Sequence, residues 1–182
     1  EARKMRLPIT LGQTLMIDDL FENVHSTMYN LSGFFRLDAQ LDAERLAKAV
    51  DRAVIAHPGL CSVFDFDEEG QIIQFIQPGI LAPTKVEDVS QQELETLTTT
   101  LQKPFRIFRT PLFRSSVFRC EGVVYLFVDM LHTVSDGSSL SVLYRDIARA
   151  YWGEELFQDY FYSYVRKEAE IRGTDAFEKA KG

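Results

Sequence analysis

The chain has 182 residues, enough for one domain with its own hydrophobic core. Its residues are 46% hydrophobic and 12% aromatic, which is typical of a globular protein, and its net charge of −7 argues against a nucleic-acid partner. An acidic chain gains nothing from an anionic membrane, and no apolar run reaches the roughly 18 residues of a spanning helix, so we expect a protein that does not bind membranes.

The two cysteines, Cys61 and Cys120, have neither a metal-type nor a redox-type spacing. We interpret them as reduced thiols of a cytoplasmic protein, and a single disulfide between them is the alternative. Because the chain begins at Glu1 rather than at a methionine, we expect a fragment, a processed chain or a trimmed form.

The first part of the chain predicts a strand and a helix. Residues 5–16 are mixed in character and interrupted by a proline, so we interpret them as an irregular lead-in. Residues 31–37 are predicted to form a strand. Asp42 is a suitable N-cap for a first helix, which Pro58 ends.

A hairpin and a second helix are predicted next. The two strands of the hairpin are residues 60–66 and 71–76, joined by an acidic turn. A short strand follows at 85–89. Ser90 and Glu93 make a capping box, which predicts the start of the second helix.

A second hairpin and a third helix complete the predicted elements. The strands of this hairpin are residues 112–119 and 123–130, and it is predicted to turn at Glu121 and Gly122. The second strand is nearly all apolar, which is typical of a strand covered on both faces. The apolar spacing over 140–151 predicts a helix, and a charged helical tail is predicted from 154 to 181. The order of elements indicates a mixed α/β or α+β class.

His132 is the strongest candidate for chemistry among the three histidines, because it directly follows the apolar strand. A side chain at such a point faces a cleft while its backbone is rigidly held. Imidazole accepts and returns a proton near neutral pH. Asp136 lies close enough to brace the loop, and Gly137 allows a tight backbone path. Ser138 and Ser139 then open a helix whose free N–H groups can face an anion.

The same segment also has a purely structural interpretation, in which Asp136 or Ser138 caps the helix and His132 is hydrogen-bonded at a strand end. His25 is interpreted as a surface residue, and His57 as a favourable charge at the end of the first helix. A Ser-His-Asp hydrolase fits poorly because no Gly-x-Ser-x-Gly elbow is present. The sequence also has no Gly-rich phosphate loop and no His/Cys metal set.

Several motifs, in their order and spacing, resemble the N-terminal lobe of the condensation domains of nonribosomal peptide synthetases, members of the chloramphenicol-acetyltransferase-like superfamily. The resemblance covers most of the chain, and the His-x-x-x-Asp-Gly segment is its centre. The matching segments are residues 7–13, 29–31, 41–46, 57–64, 111–114 and 132–137.

The resemblance implies an α+β lobe with a mixed sheet and helices packed on one face. It implies two similar lobes with the active site in the tunnel between them, so residues 1–182 are a single domain that forms the N-terminal half, with the second lobe absent. Donor and acceptor are held on the phosphopantetheine arms of peptidyl carrier proteins, and no cofactor is bound directly. The implied partners are the C-terminal lobe of the same domain, the carrier proteins and an adenylation domain.

The resemblance also implies the reaction, which is amide bond formation between a thioester donor and an amine acceptor. His132 would take the proton from the attacking amine or orient that amine. Asp136 would brace the loop, and the backbone near Gly137 would help to stabilise the tetrahedral oxyanion.

Two residues depart from the family's pattern. Leu131 stands where the family usually has a first histidine, and strand alternation places it in a different environment from His132. Cys61 stands where the family commonly has an arginine that pairs with the motif's aspartate. Arg114 and Arg119 are candidate replacements for that arginine.

These departures keep two alternatives open. The first is an O-acyltransferase of the same superfamily, which would use the same residues with an alcohol acceptor. The second is a degenerate, noncatalytic lobe that binds carrier proteins or partner domains.

Overall fold

The computed structural model describes residues 5–38, 40–134, 137–157, 167 and 169–170. Within them, the strands are β1 (Met5–Pro8), β2 (Asn30–Arg36), β3 (Ser62–Phe66), β4 (Ile72–Ile76), β5 (Lys85–Asp88), β6 (Phe113–Cys120) and β7 (Val123–Leu131). The described α-helices are α1 (Leu11–Glu22), α2 (Ala43–Ala56), α3 (Gln91–Thr100) and α4 (Gly137–Tyr151). None of the helices found in this part of the chain has the length and apolar character needed to cross a membrane.

The strands form two sheets. The larger one is mixed, in the order β2-β7-β6-β5, with β5 parallel to β6 and the other neighbours antiparallel. This sheet confirms the predicted mixed sheet. The smaller one is antiparallel, in the order β1-β4-β3, and it contains the predicted 60–76 hairpin. The sequence pattern did not predict that the strands belong to two different sheets.

The hairpin of β6 and β7 forms the centre of the mixed sheet. It turns at Glu121 and Gly122, as predicted, and both have positive φ values, of 49° and 77°. A two-residue turn of this kind matches the twist of the flanking strands. Strand β7 lies between β2 and β6, and its side chains from Val124 onwards are buried with one exception, Tyr125. A strand covered on both faces is therefore confirmed.

Helices α2 and α4 pack against each other and cover one face of the mixed sheet. The Asp42 side chain caps α2 by accepting a hydrogen bond from the backbone N–H of Arg45 at 3.1 Å, as predicted. On the opposite face, the Cys120 thiol lies 3.6 Å from the side-chain oxygen of Gln91, which places the start of α3 beside that face.

The prediction of an irregular lead-in over residues 5–16 is wrong, because β1 and most of α1 lie there. A capping box starts α1: the backbone N–H of Gln13 donates to the Thr10 hydroxyl (3.1 Å), and the Gln13 side chain accepts from the backbone N–H of Thr10 (2.9 Å). The buried positions of this helix are Gln13, Ile17 and Leu20. Because one of the three is polar, the apolar stripe was too short to recognise, although Thr-x-x-Gln is itself a helix-start signal.

Smaller differences concern the ends of elements. The strand predicted from residue 60 begins at Ser62, because a single 3₁₀ turn, Pro58–Cys61, follows α2. The predicted third helix is confirmed as α4. The predicted charged tail falls mostly outside the described residues. Of the part of the tail that the structure describes, Lys167 and residues 169–170 are helical.

Candidate functional site

His132 lies at the end of the central strand of the mixed sheet. The backbone N–H of Leu131 donates to the carbonyl of Leu112 at 3.0 Å, and that of His132 donates to the carbonyl of Tyr29 at 2.7 Å. His132 then begins a single 3₁₀ turn that ends at Val134, and α4 follows from Gly137. The strand is therefore followed by a short connection to a helix, as predicted.

The imidazole of His132 is half-buried. Its Nδ1 atom is buried and has no hydrogen-bond partner among the described residues. The backbone of His132 is thus hydrogen-bonded at the strand end, but the ring nitrogen Nδ1 makes no such bond within this part of the chain. Because Nδ1 is enclosed without a partner, Nε2 is the ring nitrogen that remains as the candidate for exchanging a proton with a bound molecule.

Leu131 and His132 have different environments, as predicted, although β7 ends at Leu131 and His132 lies in the 3₁₀ turn, so strand alternation is not the reason. Only 1% of Leu131 is exposed, and its side chain belongs to the hydrophobic core. The position at which the family usually has a first histidine is therefore a core position in this chain.

The turn that carries His132 is held by two buried glutamines that the sequence interpretation missed. Gln13 donates from Nε2 to the carbonyl of Thr133 at 2.8 Å and to the side-chain oxygen of Gln74 at 3.1 Å. Gln74 donates from its own Nε2 to Gln13 at 3.0 Å and to the carbonyl of Pro8 at 2.8 Å. The capping motif at Thr10 was the only local signal for this arrangement.

The other two residues of the predicted motif are only partly described. Asp136, the predicted brace, lies outside the described residues. Gly137 is the first residue of α4, so its backbone lies at the N-terminus of that helix.

Cys61 is fully buried, in the 3₁₀ turn that packs against the turn of His132. Burial raises the pKa of its thiol to about 11, so the side chain is neutral at physiological pH. Its Sγ atom lies 3.9 Å from the carbonyl oxygen of Val54. This position therefore provides no positive charge. Cys61 and Cys120 are both free thiols, so the alternative of a disulfide between them is wrong.

The two candidate replacement arginines are engaged with other carboxylates. Arg119 lies 2.8 Å from both Asp88 and Glu44. Arg114 lies 3.5 Å from Asp129, which has no exposed surface. Burial raises the pKa of the Asp129 carboxyl, and the hydrogen bond from Ser32 and the charge of Arg114 oppose that rise. Both arginines thus have structural partners on β5, β7 or α2.

The sequence suggested that His57 is a favourable charge at the end of α2, but the structure places it in a buried pair. Its Nε2 atom lies 2.7 Å from Oδ2 of Asp146 on α4, and 5% of each side chain is exposed. The spacing of 89 residues hid this pair from sequence interpretation. Among the described residues, no group of histidine, cysteine and carboxylate side chains has the arrangement of a metal site.

Comparison with known proteins settles the family. A family model described as the condensation domain matches residues 5–182. The chain belongs to the condensation-domain family. This condensation-domain chain is 32% identical over 129 residues to tyrocidine synthase 3 of Brevibacillus parabrevis, and 29% identical over 131 residues to gramicidin S synthase 2 of Brevibacillus brevis. These matches cover 70% and 71% of the chain, but only 2% and 3% of the two synthases.

Solved condensation domains have the same fold. The starter condensation domain of rhizomide synthetase superposes with a TM-score of 0.79 at 14% identity, over 93% of this chain and 45% of that one. The first condensation domain of the calcium-dependent antibiotic synthetase, in complex with a substrate analogue, gives a TM-score of 0.74 at 20% identity. That match covers 96% of this chain and 45% of the other. The chain therefore spans a little under half of each of these solved structures.

Proposed function

We propose that this chain supplies one lobe of an acyltransferase that forms amide bonds in nonribosomal peptide synthesis. The donor is an acyl or peptidyl thioester and the acceptor is an amine, each held on the phosphopantetheine arm of a carrier protein. The family membership and the peptide synthase relatives support this proposal. The observation that carries it is the half-buried His132 directly after a buried strand of the mixed sheet, with a buried Nδ1 that has no partner among the described residues.

In the proposed reaction the acceptor nitrogen attacks the thioester carbonyl carbon, so the C–N bond forms first and gives a tetrahedral intermediate. Collapse of this intermediate breaks the C–S bond and releases the thiolate. Nε2 of His132 orients the amine or takes its proton, which then passes to the departing thiolate. Asp136 braces the loop. Gly137 begins α4, so backbone N–H groups at this end of the helix are suited to stabilise the oxyanion of the tetrahedral intermediate.

We also propose that residues 1–182 form the N-terminal lobe of a two-lobed domain. The chain spans 45% of the starter condensation domain that it superposes on, which fits one lobe of two. The partners are then the C-terminal lobe, the carrier proteins and an adenylation domain. The two free thiols fit a cytoplasmic location. A single lobe has no opposing wall to hold donor and acceptor together, so the 182-residue chain alone is expected to give no turnover.

The noncatalytic lobe is the second candidate, because one observation favours it. A buried, neutral Cys61 occupies the place of the family's arginine, and both candidate replacement arginines pair with carboxylates elsewhere.

The test is single-turnover product formation by the complete domain with carrier-bound donor and acceptor. We expect His132→Ala to lower the rate by about 10²–10⁴-fold, which is the usual contribution of general acid–base catalysis. The matched control is His25→Ala, because His25 is an exposed histidine. A parent domain that folds and binds its carriers but forms no product would favour the noncatalytic lobe. Faster reaction with a hydroxyl acceptor than with an amine would assign O-acyl transfer.

A further inference from the structure

We infer that Gln13 is a positioning residue for His132, an inference that rests on the proposed function. Gln13 is the third residue of α1 and only 5% exposed, so it does not itself meet a substrate. Its side chain donates a hydrogen bond to the carbonyl of Thr133, the residue directly after His132. The start of α1 is therefore coupled to the turn of His132.

The amide of Gln13 uses its full hydrogen-bonding capacity. Its oxygen accepts from the backbone N–H of Thr10 at 2.9 Å and from Gln74 at 3.0 Å. Its nitrogen donates to Gln74 at 3.1 Å and to the Thr133 carbonyl at 2.8 Å. A side-chain amide has two N–H donors and an oxygen with two lone pairs, so no capacity is left. Rotating the amide by 180° would set its NH₂ group against the N–H of Thr10, so a single orientation is stable.

His132 depends on the hydrogen bond between Gln13 and Thr133, because the His132 ring itself forms no hydrogen bond with the described residues. Its Nδ1 atom is buried without a partner. The ring direction is therefore set by packing and by the backbone. Two hydrogen bonds anchor that backbone: the His132 N–H to the Tyr29 carbonyl at 2.7 Å, and the Thr133 carbonyl to Gln13 at 2.8 Å. Losing the second anchor removes the hydrogen bond that ties the turn to α1 and leaves the one from the His132 N–H to the sheet side.

A small rotation of the turn is enough to affect a proton transfer. Misplacing a reacting group by about 1 Å can cost on the order of 10²-fold in rate. Loss of the Gln13 contact should therefore lower kcat, since the general base is misaligned, and leave substrate binding almost unchanged because Gln13 lies beneath the site.

The experiment compares Gln13→Met with Glu93→Met in the complete domain. Glu93 is the matched control because it has the same place in the capping box of α3, with hydrogen bonds of 3.1 Å and 2.7 Å to Ser90. Each variant removes the side-chain half of a capping box, but only Gln13→Met removes a contact to the turn of His132. Both are assayed where circular dichroism shows them folded, with kcat and the acceptor KM measured separately.

We expect Gln13→Met to lower kcat by about 10- to 100-fold with KM within about threefold of the parent, and Glu93→Met to retain the parent kcat. If Gln13→Met does not fold, Gln13→Glu takes its place, because a carboxylate keeps the acceptor for Thr10 and loses the donor to Thr133. Equal kcat values for the Gln13 and Glu93 variants would overturn the inference, as would a raised KM with unchanged kcat. Failure of the proposed function is distinct: the parent and His132→Ala would then form product at the same rate.

Discussion

His57 and Asp146 form a buried pair that joins two helices, with Nε2 of the imidazole 2.7 Å from Oδ2 of the carboxylate. His57 is the C-cap residue of α2 and Asp146 lies on α4. These two helices cover one face of the mixed sheet, whose central strand leads to His132. The pair therefore links the two helices that cover this face of the sheet.

The first prediction is a double-mutant cycle on this pair. His57→Leu and Asp146→Leu should each destabilise the domain by about 1–3 kcal/mol, because each removes one partner of a buried hydrogen bond. The double variant should lose far less than the sum of the two. The measurement is the free energy of unfolding from denaturant titration, with His25→Leu as the exposed control. Additive losses would show that the two side chains are not coupled.

The second prediction concerns Arg114 and the buried Asp129. Arg114→Met removes the charge that opposes the raised pKa of Asp129, so the folded-state pKa should rise further. A folded pKa above the unfolded value of about 3.9 means that the folded state binds more protons, so stability falls as pH rises from that value through the folded pKa. The variant should therefore lose stability increasingly above about pH 4, reaching about 1–3 kcal/mol at pH 8.

The control for this prediction is Arg119→Met. Arg119 lowers the pKa of the exposed Asp88. The contribution of this ion pair to stability is therefore fully present at every pH above the unfolded pKa of Asp88. Its loss should stay constant between pH 5 and pH 8, whereas the loss for Arg114→Met grows. Parallel pH profiles for the two variants would contradict the prediction.

The third prediction is that a histidine at position 131 does not restore a catalytic pair. Leu131 is 1% exposed, so Leu131→His buries a polar ring without a partner and should cost about 1–3 kcal/mol of stability. The single-turnover rate should not rise above the parent's. Leu15→His, at a position that is 62% exposed, is the control and should leave stability nearly unchanged. A stable and faster Leu131→His variant would be inconsistent with a core position.

The fourth prediction is that Cys61 is unreactive in the native protein. With its pKa raised to about 11, about one thiol in a thousand is ionised at pH 8, and the side chain has no exposed surface. Alkylation at pH 8, followed by mass spectrometry of the peptide that contains Cys61, should show labelling far slower than in denaturant. Native labelling at the rate of the unfolded chain would show that the site opens readily.

Local signals in the sequence determined much of this fold. The positive-φ turn at Glu121 and Gly122, the cap at Asp42 and the capping box at Ser90 were all predicted where they occur. Each depends only on neighbours within a few residues, so the pattern is visible without the fold. The location of His132 at the end of an apolar strand was predicted for the same reason.

The tertiary structure alone decided which buried polar groups meet. Gln13 reaches Thr133 across 120 positions, and His57 reaches Asp146 across 89. No local periodicity encodes such contacts, because burying a polar side chain is favourable only when a distant partner satisfies it. Helix α1 was missed for this reason: Gln13 occupies a core position that an apolar pattern assigns to a hydrophobic residue. The chain's sequence thus determined where the proposed catalytic histidine lies, and the folding of distant segments together decided what holds it in place.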